Sequence, residues 1–236
     1  MRFFNKQLFI KMLPMFLIGI VIFVGSAATG SAQADIINQI LTRMEEHNKA
    51  LTSLKANVTM VKENAQLGGA LDTTEGTAIY LPVRGKDALV RIDWVSPKES
   101  LAVVNKQYVI FRPALSQAYT GTTDSAKGNA KAGGALAFMS MSRAQLKQNY
   151  SIKYLGEANV KGGANTWHLE LTPNTKTSYK SAEIWVDGNG MPIQSKVIEH
   201  NNDSTTVLLS NMQKNIRINT ADFKIDLPKG TKIIKS

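Results

Sequence analysis

The chain has 236 residues, no cysteine, and a formal net charge of +10 from 28 basic and 18 acidic side chains. Without cysteine it has neither a disulfide framework nor thiol chemistry, so its fold must be held by an apolar core. The basic residues are spread along the chain, with no clustered, aromatic-interleaved run; this excludes a nucleic-acid motif and leaves a solvated exterior with weak attraction to anionic lipid.

The first 34 residues have the order of a secretory leader. Arg2, Lys6 and Lys11 come first, then the apolar run Met12 to Val24, then small residues ending in Ala32-Gln33-Ala34. Cleavage is expected after Ala34. A membrane anchor is the competing reading, but the uncharged run reaches spanning length only if its Gly/Ser/Ala tail is counted. Cleavage removes three basic and no acidic residues, leaving 25 against 18, a net charge of +7. No lipobox cysteine stands near residue 34, so the exported chain is expected to be a free soluble protein. Residues 35–236 are long enough for one domain with a substantial core.

Residues 35–51, "DIINQILTRMEEHNKAL", predict a helix. Ile36, Ile37, Ile40, Leu41 and Met44 recur at helical spacing, and Asp35 suits a helix N-terminus. The period then drops to two. "LKANVTMVKE" sets Leu54, Ala56, Val58 and Met60 on one face, "EGTAIYLP" follows a Gly/Asp/Thr turn region, and "ALVRIDWV" alternates strictly. "SLAVVN" and "QYVIFRP" flank Asn105-Lys106 as a hairpin, and "SQAYTG" is a short sixth strand. Residues 121–134 are small and of low complexity, a loop. Residues 134–149 predict two short helices broken near Ser142, which can cap "RAQLKQNY". Strands resume at "YSIKYLGE", "TWHLELTP", "YKSAEIWVDG", "PIQSKVIEH" and "STTVLLSNMQKN", with "DGNG" at 187–190 as a hairpin turn. The tail "TADFKIDLPKGTKIIK" predicts a last strand ending at Pro228. The sum is an α+β protein: about ten strands in a long, curved antiparallel sheet, with helices on one face.

Catalytic patterns are missing. His47, His168 and His200 lie far apart, with no metal-ligand spacing, nucleophile elbow or phosphate loop. Glu45 and Glu46 are adjacent on a helix and do not share a face. Glu170 alternates with apolar neighbours and reads as an outward strand position. An enzyme is not expected, and neither is a metal or cofactor.

Three segments carry a family resemblance. "ALVRIDWVSPKESLAVVNKQYVIFRP" resembles the signature region of the bacterial outer-membrane lipoprotein carrier (LolA) family, a strand ending in an aromatic residue, then Pro, Glu-Ser and a hairpin. "ALAFMSMSRAQLKQNYSIKY" is similar to that family's lid helices and return strand, and "FKIDLPKGTKI" to its closing pattern. The resemblance implies an unclosed, strongly curved antiparallel β-barrel with a helical lid over a hydrophobic cavity. It implies a soluble, monomeric periplasmic chaperone that binds the acyl chains of lipoproteins, without cofactor or covalent chemistry. Its partners would be acylated lipoprotein cargo, an inner-membrane lipoprotein-releasing ABC transporter and an outer-membrane lipoprotein acceptor, with no nucleic acid. On that basis the cavity is expected at Val58, Met60, Val90, Ile92, Trp94 and Ile110. The lid is expected at Ile37, Ile40, Leu41, Met44, Leu136, Phe138, Met139 and Met141, where methionine's flexible thioether suits a varied ligand. The family's lid-latching arginine maps by order onto Arg84, with Arg91 as the runner-up on the face opposite Trp94. Against all these apolar positions stands the plainer reading that they are ordinary core. Two other functions compete: a non-transporting envelope sensor or lipid-binding module of the same fold, and an exported hydrolase.

Overall fold

The computed structural model describes residues 28–83, 87–122 and 141–235. In chain order they form α1 (Ala28–Ala50), β1 (Leu54–Asn64), β2 (Ala70–Leu81), β3 (Leu89–Trp94), β4 (Glu99–Val104), β5 (Gln107–Arg112), β6 (Gln117–Thr122), α2 (Arg143–Asn149), β7 (Tyr150–Asn159), β8 (Asn165–Pro173), β9 (Tyr179–Asp187), β10 (Pro192–Glu199), β11 (Ser204–Lys214) and β12 (Lys232–Lys235). All twelve strands join one sheet, in the order β12-β6-β5-β4-β3-β2-β1-β11-β10-β9-β8-β7. Neighbours are antiparallel except β12, which lies parallel to β6. The first and last strands do not pair with each other, so the sheet is open rather than a closed barrel. This is the unclosed α+β architecture expected from the sequence. A sheet this wide must curl, and register shifts in β1, β7 and β10 bend it locally.

Cross-strand register identifies a single apolar face. Tyr154, Leu169, Ile184, Ser195, Val207, Met60 and Thr74 stand side by side from β7 across to β2. A neighbouring row runs Ala56, Ala78, Ile92, Leu101, Ile110 and Tyr119 from β1 to β6. Ala56 and Met60 are four apart on one strand, so both rows share a face. Strict alternation is what puts them there, because each strand's period of two sends every second residue inward.

α1 covers the β7–β9 part of this face. Ile40, Leu41 and Met44 are buried against Leu169, Leu171, Ala182, Ile184 and Val186, with Ile37 partly buried beside them. Ile36, which the helical stripe also included, is exposed. The helix starts at Ala28, seven residues before the predicted Asp35. α2 is the short helix expected after Ser142, whose hydroxyl accepts from the Gln145 N–H while Gln145 reaches back to the Ser142 N–H. Arg143 donates to Thr42 and Asn38, and Lys147 to Asn38 at 2.6 Å, tying α2 to α1. One residue on from Thr42, Arg43 donates to the Gly188 carbonyl and stands 5.3 Å over the Trp167 ring.

The outer face is closed in a different way. The expected strand ending at Pro228 does not form; Thr220–Phe223 is a 3-10 turn, and pairing resumes only at β12. The physical reason is side-chain anchoring. Phe223 is buried in the outer face with Leu89, Ala102 and Val109 around it. Arg91 donates to the Asp222 and Lys224 carbonyls, acceptors that a strand would need for its ladder. Sequence periodicity also misplaces the start of β2, since "ALDTT" is strand rather than turn. Among the described residues the sheet has twelve strands, where about ten were expected.

Two predictions concern the docking of α1. Gly190 sits at φ +84°, and a Cβ there would lie 2.2 Å from the Arg43 carbonyl oxygen. Gly190→Ala should cost about 1–3 kcal/mol, measured by urea unfolding, because either the turn or the helix must move. His47 is held below the ordinary histidine range, first by burial and then by Lys214, with Asp187 and the Asn189 backbone opposing. Its Nε2 is buried without a partner. The unfolded chain therefore binds the His47 proton more readily. The resulting stability is complete above the ordinary histidine range and is lost as pH falls from there through the lowered folded-state value. His47→Gln should flatten the fall in melting temperature over that interval.

Candidate functional site: the apolar inner face

The six expected cavity residues come from three strands and fall within one cluster. Val58 and Met60 on β1, Val90, Ile92 and Trp94 on β3, and Ile110 on β5 are buried together with Leu54, Tyr80, Leu101, Tyr108, Val207 and Leu209. Each occupies an inward position of its strand, and none is more than 7 % exposed. Register accounts for the grouping: Val90 pairs with Tyr80 and Val103, and Ile92 with Ala78 and Leu101. Val207 and Leu209 come from β11, far along the chain, and pair with Met60 and Val58.

The expected lid residues divide. Ile37, Ile40, Leu41 and Met44 lie on α1 over β7–β9, in a second cluster of the same face. Met141 is partly buried in that cluster, and its carbonyl accepts from Asn48 Nδ2 at 3.3 Å. Leu136, Phe138 and Met139 lie outside the described residues, as does Arg84, the expected latch. Arg91, the runner-up, points outward from β3. Its Nε and Nη2 pair with the two Asp93 oxygens at 2.9 and 3.0 Å, and its Nη1 holds the C-terminal segment. Its role is to fasten the chain's tail to the outside of the sheet.

Sequence reading missed an ion pair at one end of the inner face. Leu209, Val58, Gly76, Trp94 and Glu99 stand side by side across β11, β1, β2, β3 and β4. Glu99 is 2 % exposed, the one charged residue among the buried described residues. Arg112 Nε donates to Glu99 Oε2 at 2.5 Å, and its guanidinium stands 5.0 Å over the Tyr119 ring. The hydrogen bond from Glu99 raises the Arg112 pKa above the ordinary arginine range against the opposing effect of burial, with Tyr119 adding to the rise. The clue was in the alternation: "ESLAV" puts Glu99 in phase with Leu101 and Val103, and "YVIFR" puts Arg112 in phase with Tyr108 and Ile110.

Chemically, this face offers a broad apolar surface with one ion pair at its end. Among the described residues no cluster of three His, Asp or Glu side chains could hold a metal ion. His168 and Glu183 meet at 2.7 Å, but their register sets them on the outer face, where His168 stacks on Trp185. No described helix is long and apolar enough to cross a membrane.

Comparison with known proteins follows the same line. No curated protein matches the chain. An uncharacterized conserved protein from Thermus thermophilus has a similar fold, with a TM-score of 0.53 at 12% identity over 85% of this chain and 99% of that one. A LolA superfamily protein from Nitrosomonas europaea aligns with a TM-score of 0.42 at 14% identity, covering 80% and 97%. The lipoprotein LppX of Mycobacterium tuberculosis aligns at 0.41 and 13%, covering 77% and 98%. The family model for the outer membrane lipoprotein carrier protein LolA matches residues 84–226, more than half of the sequence. The chain belongs to the LolA family.

Proposed function

We propose that the protein is a soluble periplasmic carrier of lipoproteins. It takes up their acyl chains at the inner membrane from a lipoprotein-releasing ABC transporter and delivers them to an acceptor at the outer membrane. The observation that carries this reading is the continuous apolar face of an open sheet, running from β7 to β6. Exposing an acyl chain to water costs about 0.8 kcal/mol per CH₂, so a lipoprotein crosses an aqueous compartment only with its chains covered. A closed barrel packed to crystal-like density has no room for them. An open sheet whose apolar face is covered by detachable helices supplies both shelter and release.

In this reading the cavity is lined by Val58, Met60, Val90, Ile92, Trp94 and Ile110. The lid combines the apolar stripe of α1 with Leu136, Phe138, Met139 and Met141, and Arg84 latches it. Removal of the leader after Ala34 takes away the first seven residues of α1 and keeps Ile37, Ile40, Leu41 and Met44. It leaves Asp35 near the new helix start, where a negative charge is favourable.

Mass spectrometry of protein purified gently from cell envelopes should find co-purifying acylated lipoproteins, and purified protein should release lipoproteins from spheroplasts. Bound lipid without such release would instead identify a non-transporting lipid-binding module. Absence of any acylated species would reject both. Phe138→Glu should weaken cargo retention severalfold while changing stability by no more than about 0.5 kcal/mol. A variant that fails to fold would make Phe138 core rather than lid.

A further inference from the structure

We infer that His47 is a proton-operated release for α1: a proton on its ring frees the helix from the inner face while the sheet stays folded. The release is argued from the contacts of α1 alone. That it admits acyl chains rests on the lid reading above.

His47 is one helical turn on from Arg43, where α1 meets the turn between β9 and β10. Its Nε2 is buried with no hydrogen-bond partner among the described residues. A neutral ring can leave its bare acceptor nitrogen there. Protonation makes the same atom a charged donor, and burying a charged donor without an acceptor is far more costly. The docked helix has no acceptor to offer. The charged groups that act on the ring are Lys214, the last residue of β11, and Asp187, the last residue of β9. Lys214 repels a charged ring. Asp187 attracts it, but its Oδ1 already accepts from the Asn189 and Met191 N–H groups at 2.9 and 2.8 Å. Swinging that carboxylate toward His47 would undo the turn on which the helix rests. Helix and turn also have no slack, since a Cβ on Gly190 would lie 2.2 Å from the Arg43 carbonyl oxygen.

The attachments of α1 make its release local. The helix takes no place in the strand ladder. It is held by Ile40, Leu41 and Met44 on β7–β9, by Gln33 Nε2 on the Tyr154 carbonyl at 3.2 Å and by Arg43 on the Gly188 carbonyl. Undocking it leaves every strand pairing intact, and elements held in this way open at lower free energy than the sheet beneath them. Burial and Lys214 keep the docked ring below the ordinary value of 6.5, against Asp187 and the Asn189 main chain. A released ring in water regains that value, so the released state binds the proton more readily. Acid therefore favours release. The released population rises by at most about tenfold per unit fall in pH between the ordinary and the docked values, and is level outside them.

Amide hydrogen exchange of the full-length protein, resolved by residue and followed from neutral pH into acid, tests this. Amides of Ile40 to Met44 should be less protected than those of Met60 and Val207 at every pH, and their exchange should respond little to low urea. Below pH 6.5 their protection should fall by up to about tenfold per pH unit. His47→Gln should abolish that fall. Lys214→Met, which removes the repelling cation and leaves the ring in place, should make it smaller. Equal protection of α1 and the sheet would overturn the proposal, because the helix would then leave only on global unfolding. So would α1 protection that ignores pH, or an undiminished fall in both variants. A neutral pyrene-labelled diacylglycerol in neutral micelles should enter the wild-type protein faster in acid, by the factor that exchange measures, and His47→Gln should lose this acceleration. Release of α1 without faster entry would leave the proton-operated release standing and remove α1 from the lid.

Discussion

An open sheet with one apolar face cannot finish its own core. Twelve strands satisfy one another's backbone groups from β12 to β7, yet the rows through Ile92 and through Met60 present side chains that belong out of water. Covering that face is the requirement to which the remaining elements answer. α1 answers it over β7–β9, held by Ile40, Leu41 and Met44 inside and by Arg43 against the turn of Gly188 and Gly190. α2, fastened through Arg143 and Lys147 to Asn38, braces the helix from its other side.

Two arginines show how the faces are kept distinct. Arg91 and Arg112 both lie in short alternating strands, each in a salt bridge with a carboxylate. Arg91, outward on β3, spends its fork on Asp93 and on two main-chain carbonyls, and with buried Phe223 it fastens the C-terminal segment to the outside. Arg112, inward on β5, is paired with a buried carboxylate at the end of the apolar rows. One parity step along a strand separates an outward fastening from an inward ion pair.

This parity is also why much of the fold was legible. "ALVRIDWV" and "LKANVTM" alternate so cleanly that Val90, Ile92, Trp94, Val58 and Met60 could be assigned to one face before any pairing was known. Asn105-Lys106 and "DGNG" marked hairpins because both sites need turn backbones; Asn105 and Lys106 adopt left-handed conformations and Gly190 has positive φ. Where non-local contacts decide, the pattern was silent. "FKIDLP" alternates like a strand, but Phe223 in its pocket and Arg91 on its carbonyls hold that segment away from any ladder. "LDTT" looks like a turn, yet pairing with β1 makes it strand. Glu99 and Arg112 were in phase with the inner face all along; they were passed over because charged residues in a strand are ordinarily outward, and only their pairing makes an inward position tolerable.

The inner face serves as core or as ligand surface, and the two roles leave the same pattern of buried positions. What distinguishes them is response. A ligand surface changes its environment when an acyl chain arrives, whereas the outer packing around Phe223 does not. Methyl-resolved NMR of the full-length protein, titrated with an acylated lipopeptide, reads this directly. The account predicts shifts at Val58, Val90, Ile92, Ile110, Val207 and Leu209, with Leu89 and Val109 on the outer face unmoved. Shifts confined to the outer face, or none at saturating lipopeptide, would contradict it.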